Sequence, residues 1–354
     1  MKAFGFLSFG HYGAVRGSHT QNARDALTQA VAIGVGADEL GVNGAYFRVH
    51  HFAQQAAAPI PLLTAIAAKT QRIEVGTGVI DLRYENPLYL AEEAAALDLL
   101  ADGRVALGVS RGSPESVIRG YEEFGYTGST DPRGADIARE KITKFLAAIE
   151  GQPMADADPN GYMSTHTTAR VPIEPQSPTL RQHVWWGSGN RDSAEWAGTV
   201  GLNLMSSTLL TEANGEEFHR LQRDQIDRFR AAWKEAGHPG NPRVSVSRSI
   251  FPLMTDVDRA YFGPRGGEDG DQIGIIDGMR STFGKSYAAE PDVLIEQLKA
   301  DTAIEAADTL MLTIPNQLGV DYNLHVLESF ATHVAPALGW QPNTDGPVTG
   351  YPID

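Results

Sequence analysis

Four short segments carry residue types that do chemistry. The first, Gly44-Ala-Tyr-Phe-Arg-Val-His50-His51-Phe52, ends in two consecutive histidines, the side chains best placed to exchange protons near neutral pH. Alone, such a pair reads more readily as one packed and one solvated ring. No spaced carboxylate or histidine cluster completes a metal ligand set around it, and adjacent strand residues face opposite ways, so no metal site is expected. The second segment, Ile73-Glu-Val-Gly76-Thr77-Gly78-Val79-Ile80, holds two glycines that suit either the close approach of a ring or a bulge. The third, Gly103-Arg104-Val-Ala-Leu-Gly108-Val109-Ser110-Arg111-Gly112, presents a guanidinium between glycines. Its fixed donors can clamp a phosphate or carboxylate, or make an ordinary surface ion pair. The fourth, Trp186-Gly187-Ser188-Gly189-Asn190-Arg191-Asp192-Ser193, is a glycine-rich turn that opens a helix. Its backbone N–H groups suit phosphate, and a plain capped turn has the same composition.

The elements that must position these segments follow from hydrophobic periodicity. Short apolar runs alternate with longer amphipathic stretches, the pattern of repeated βα units. Eight strands are expected at Lys2–Phe9, Gly44–His50, Ile73–Ile80, Arg104–Val109, His183–Trp186, Leu202–Ser206, Val244–Leu253 and Thr309–Leu312. Between them, Ala138, Ile142, Phe145, Leu146 and Ile149 share one helix face, and Pro87 opens a leucine- and alanine-rich helix. The expectation is an α/β fold: a single (β/α)8 TIM barrel over residues 1–340, followed by an irregular tail over 341–354 that wraps the surface or a neighbouring subunit. Insertions interrupt the rhythm after strands four and seven. One runs from Gly151 to Gln182 and is rich in Pro, Asp, Asn and Thr; the other, Asp256 to Lys285, holds Gly263, Gly266, Gly267 and Gly270 and is expected to fray or form a flap. A doubly wound sheet competes with the barrel, but no Gly-x-Gly-x-x-Gly follows the first strand. In a TIM barrel all four segments fall at the C-terminal strand ends, where such barrels build their sites.

Composition narrows the partners. The 354 residues carry a formal charge of −15, which opposes polyphosphate backbones and argues against nucleic acid. With no cysteine there is neither disulfide, thiolate metal site nor thiol nucleophile. The first apolar stretch, Ala3 to Phe9, is too short for a signal-peptide core, and no later run could span a bilayer. A cytoplasmic protein without a membrane partner is expected.

In joint order and spacing, several pieces of the chain resemble the luciferase-like flavin-dependent monooxygenases. They are His50-His51-Phe52, Val75-Gly76-Thr77-Gly78-Val79, Leu97-Asp98 through Gly103-Arg104 to Ser110-Arg111-Gly112, Phe124-Gly125, Arg139, and Ser193-Ala-Glu195-Trp196-Ala197. The resemblance implies that Arg111 and Arg139 neutralise a flavin phosphate, with Ser110 beside them and the turn Ser188, Gly189, Asn190 and Ser193 adding hydrogen bonds. It implies a non-proline cis peptide joining Gly78 to Val79 behind the flavin ring, and His50 as the catalytic acid or base. The implied reaction uses reduced FMN and O2 to oxygenate a small organic substrate. A separate NAD(P)H:flavin reductase supplies the FMN, and the protein is a homodimer. Two departures stand out: Val49 occupies the place of an acid that commonly precedes the histidines, and Ser110 that of a reactive cysteine in some luciferases. An F420-dependent, hydride-transferring dehydrogenase or reductase on the same barrel is the alternative, and a non-catalytic flavin-binding protein is the third reading.

Overall fold

The structure, a computed structural model, describes residues 3–112, 116–161, 168–264, 270–276 and 278–344. Lys2, Gly266, Gly267 and the tail from residue 345 onward lie outside them.

The short apolar runs become parallel strands buried on both faces, as strands between a filled interior and a coat of helices must be. These are β1 (Ala3–Ser8), β2 (Gly44–Phe47), β3 (Glu74–Thr77), β4 (Val105–Ser110), β5 (Val184–Ser188), β6 (Asn203–Ser206), β7 (Val244–Pro252) and β8 (Thr309–Ile314). Each pairs with the next, and β8 pairs back onto β1 from Ala3↔Thr309 to Ser8↔Ile314, so the sheet closes into the expected (β/α)8 TIM barrel. The second strand ends at Phe47, short of the histidines. There the chain turns outward, with the His50 amide donating to the Ala56 carbonyl at 2.9 Å.

Helices α1 (Ala23–Glu39), α2 (Pro59–Ala67), α3 (Pro87–Leu100), α4 (Ala135–Ile149), α5 (Arg191–Val200) and α6 (Phe218–Glu235) return the chain between the first strands. After β7 come α7 (Asp256–Phe262), α8 (Pro291–Lys299) and α9 (Thr302–Ala306), and α10 (Val320–His333) follows β8. Local chemistry sets their starts. Asn86 accepts from the Leu88 and Tyr89 amides at 2.9 and 3.2 Å, and Pro87 fills the first turn of α3 where its missing N–H costs nothing.

Alternation along the strands sorts side chains into two layers. Phe4, Phe6 and Phe47 point out against the helices, whereas Leu7, Tyr46, Ala106, Trp185, Met205 and Met311 fill the barrel axis. Gly76 is required by this interior: a Cβ there would lie 2.8 Å from the Tyr46 ring. At the N-terminal end Arg243 donates to both oxygens of Glu74 at 2.7 and 3.1 Å, and the Tyr46 hydroxyl donates to Glu74 at 2.6 Å. This buried cluster closes that end and leaves the mouth at the C-terminal ends.

The first insertion carries a short antiparallel pair, Ala155–Asp156 with Arg170–Val171. The second does not fray over its described residues. It forms α7 and a hairpin of Gln272–Ile276 and Met279–Phe283, whose second strand pairs with Leu209–Leu210 after β6. The alternating Ile273 and Ile275 and an Asp-Gly dipeptide at 277–278, with Gly278 at φ +76°, favour this hairpin over a loop. At the tail, Trp340 is buried edge-on to Phe4 and donates to Asn43 Oδ1 at 2.7 Å. No helix among the described residues is long and apolar enough to cross a membrane.

Candidate active site

At the mouth the strand ends bring the separate sequence segments together. His50, Gly78, Val79, Ser110, Arg111, Ser188, Gly189, Asn190 and Ser193 all line one cavity, over a floor of Leu7, Met205 and Met311. Arg139 does not line it. Its guanidinium carbon sits 3.4 Å over the Trp196 ring and 5.4 Å from the centre of Trp186, a lining residue. Arg139 therefore stands one indole behind the wall.

The side chains after β2 form a cationic group whose charges act on one another. Burial, and then the charges of Arg48, His51, His11 and Arg83, push the His50 imidazole down to about 4. His50 is thus neutral at physiological pH, a proton acceptor. His51 stacks on Tyr84 with centroids 4.2 Å apart, and burial lowers its pKa against the opposing pull of Asp81. Asp81 itself is clamped by Arg83, whose Nε lies 2.9 and 3.1 Å from its two oxygens. Arg48 also lines the cavity, its guanidinium 4.8 Å from the centre of the Phe9 ring. Burial lowers its pKa to about 10, which still leaves it charged.

Across the mouth, the β5–α5 turn is built for a different task. Asn190 caps α5 by accepting from the Ser193 amide at 2.8 Å, and Trp186 Nε1 donates to Ser193 Oγ at 2.8 Å. The cap consumes that amide, so Ser193 faces the cavity with its hydroxyl. Ser188 Oγ donates to the Asn190 carbonyl at 2.8 Å and is braced from α6, where buried Gln225 approaches it at 3.5 Å. Gln222 donates to Ser206 Oγ and the Ser207 carbonyl, each at 2.8 Å. Arg191 is neutralised by Glu212 and Asp224, both at 3.0 Å. For Arg139, by contrast, burial alone moves the pKa, downward. Its positive charge is held on indole faces rather than by an acid.

One expectation is corrected. The Gly78–Val79 bond is trans; the only cis peptide among the described residues joins Glu174 to Pro175. A non-proline cis bond costs about 2.5–4 kcal/mol and needs enforcement. Here the Gly78 amide keeps the β2 ladder by donating to the Phe47 carbonyl at 2.7 Å, and the chain resumes pairing with β4 at Ile80–Asp81. The glycine itself serves Leu7, whose Cδ1 would lie 2.4 Å from a Cβ at residue 78. Gly112, at φ +94°, likewise makes room for Asp81.

Sequence reasoning missed Arg48, Asp81, Gln222 and Gln225. Arg48 was findable: it is two residues beyond Tyr46 and so shares its inward face. The glutamines lie on α6, apart in sequence from the β6 end that Gln222 braces and the Ser188 that Gln225 approaches, and no local pattern marks them.

The lining suits a flavin mononucleotide in kind. Arg111, the Ser110 and Ser193 hydroxyls and the α5 start can meet a phosphate, and the apolar floor can take a tricyclic ring. Among known proteins the chain is similar to both flavin-dependent and F420-dependent enzymes. The luciferase-like monooxygenase family model matches residues 1–260. The oxygenase component of a flavin-dependent trigonelline monooxygenase from Acinetobacter baylyi is 24% identical over 72% of this chain and 66% of its own length. An F420-dependent glucose-6-phosphate dehydrogenase from Amycolatopsis mediterranei is 36% identical over 67% of this chain and 66% of its own. In both, the match spans just under two thirds of the relative. Among solved structures, a monooxygenase from Streptomyces bottropensis aligns with a TM-score of 0.72 at 18% identity, covering 96% of this chain and all of the other (100%). The FMN-bound oxygenating constituent of 3,6-diketocamphane monooxygenase from Pseudomonas putida aligns at 0.67 and 18% identity, over 95% and 98%.

Proposed function

Because the chain belongs to the luciferase-like monooxygenase family, we propose that it oxygenates a small organic substrate with O2 and reduced FMN, the flavin being delivered by a separate reductase. The observation that carries this reading is the convergence of a neutral His50 and a phosphate-type cradle on one cavity with an apolar floor.

In this reading Arg111, Ser110 and the turn from Ser188 to Ser193 hold the phosphate. Arg139 adds charge through the Trp186 wall. Gly78 and Val79 border the ring position, with Leu7, Met205 and Met311 excluding water beneath it. Reduced flavin supplies the electrons for activating O2. The chain's own contribution to proton movement is His50: uncharged before turnover, a ring nitrogen accepts a proton and later returns it. Oxygen consumption by the purified protein with reduced FMN and candidate substrates tests the reading. Tight F420 binding without FMN binding would overturn it in favour of hydride transfer, the second reading, which the 36% identity to an F420-dependent relative supports. Titration with each cofactor separates the two.

A further inference from the structure

A second cavity lies outside the barrel wall, between the parts of α1 and α2 nearest the mouth. Phe47 of β2 forms its floor, Ala26, Ala30 and Val31 line it from α1, and Leu62 and Ala65 line it from α2. Its volume is about 460 Å³, within the range of small-molecule sites. The space exists because small side chains face one another across it. One turn further along α1, Gly34 meets Ile66, whose Cγ2 would lie 2.8 Å from a Cβ at residue 34, so the helices touch and the space ends. Toward the mouth, Gly10 packs against Ala56, whose Cβ would lie 3.0 Å from its own. The loops after β1 and β2 meet there and divide this cavity from the one that His50 lines. Leu27, 46% exposed, stands at the rim that opens to solvent.

The lining also restricts what can enter. Among the described residues no charged side chain borders the cavity, so an ion there would find no counter-charge. Thr28 is already satisfied, its hydroxyl donating to the Arg24 carbonyl at 2.9 Å. Gln55 is not: its Oε1 is buried and meets no donor, the only such atom among the side chains that line this space. A buried acceptor without a partner forfeits its hydration and gains nothing in return. An orphaned amide oxygen beside an apolar chamber matches a ligand that brings one donor and no charge.

We propose that this cavity is a second ligand site, separate from the mouth, for a small neutral molecule with an apolar body and one hydroxyl group, the hydroxyl donating to Gln55 Oε1. The site goes beyond the flavin reading and stands without it. It adjoins the mouth through the backbone: Ala56, which lines the cavity, accepts from the His50 amide at 2.9 Å.

The test is calorimetric titration with thymol and with its methyl ether, which keeps the apolar body and lacks the donor. The wild type is expected to bind thymol about 3–10-fold tighter than the ether, the usual worth of one neutral hydrogen bond. Gln55→Leu, which removes the acceptor at similar size, abolishes that preference. Ala65→Phe fills the space and weakens both probes by more than about 10-fold. Circular dichroism and urea melts show that the variants fold; if Ala65→Phe does not, Gln55→Leu decides alone. Binding of neither probe by the wild type leaves the acceptor to water and overturns the proposal. A preference that survives in Gln55→Leu overturns it as well, because the hydroxyl is then read elsewhere. So does loss of thymol binding on addition of FMN, which would place the probe in the mouth. Failure of FMN to bind falls on the flavin reading alone, since the thymol preference and its two variants are read without FMN.

Discussion

Two arginines lie over aromatic rings at opposite ends of this barrel. Arg243 sits 4.6 Å from the centre of Trp185 at the closed end, and Arg48 sits 4.8 Å from Phe9 at the mouth. The ring contact is the same; the surroundings differ. Glu74 meets Arg243 with both oxygens in a pair almost wholly removed from water, with side-chain exposures of 6% and 2%. Arg48 lines the mouth, where Asp81, the lining acid among the described residues, is clamped by Arg83. A guanidinium answered by a built-in carboxylate holds the barrel shut. One that lines an open cavity is placed where a ligand would lie. The contrast separates scaffold from site without appeal to residue type.

The comparison breaks most visibly on stability. Arg243→Met strands a buried Glu74 carboxylate and is expected to cost about 3–5 kcal/mol, read as a lowered midpoint in urea. Arg48→Met, at a partly solvated mouth, is expected to cost less than about 1 kcal/mol in the same melts, the ordinary range away from such features. Equal losses would erase the distinction drawn between the two ends.

The next effects are on function. His50→Ala is expected to lower kcat by about 10²–10⁴-fold, the usual contribution of a positioned acid or base, while FMN affinity measured by fluorescence stays near that of the wild type. Full turnover would remove His50 from the mechanism. Arg111→Met is expected to do the converse and weaken FMN by about 10–100-fold through loss of a charge-assisted hydrogen bond. Arg139 sharpens this: held behind Trp186 rather than in the lining, its replacement by Met should weaken FMN less than that of Arg111.

The barrel was legible because each strand announces itself locally. Runs such as Val105 to Ser110 are buried throughout, and only a strand covered on both faces accommodates them. The site was legible where its pieces sit at strand ends, as with Arg111 and the Ser188–Ser193 turn. Two features required information that a local reading lacks, and two carried signals that it passes over. The braces from Gln222 and Gln225 join α6 to the ends of β6 and β5, with Gln225 reaching Ser188 across 37 residues, beyond any periodicity. The Gly78–Val79 geometry depends on the Phe47 carbonyl of a neighbouring strand. Arg48 and the Gln272–Phe283 hairpin did carry local signals, inward parity and an Asp-Gly dipeptide, beside the more conspicuous histidine pair and a glycine-rich stretch.

The last expected effect concerns pH, and it probes the mouth from the side of His50. Its pKa is ordinarily 6.5 and is held near 4 in the fold. As pH falls from about 6.5 toward 4, the unfolded chain binds a proton at this site and the folded one does not, so this contribution to stability is whole above that window and lost through it. His11 and His51, both shifted downward, add in the same direction. Glu85, raised to about 7 by burial, opposes them because its folded form takes up the proton first. The informative quantity is therefore a difference between proteins. His50→Gln should lose less stability than the wild type between pH 7 and pH 4.5 in parallel urea melts, whatever the absolute slope. Arg48→Met, with the imidazole intact, removes one of the charges that depress His50 and should move the same way by a smaller amount, since burial is the larger cause. An unchanged slope in both variants would mean that the charges at the mouth do not act on one another, and the contrast between its two arginines would then rest on position alone.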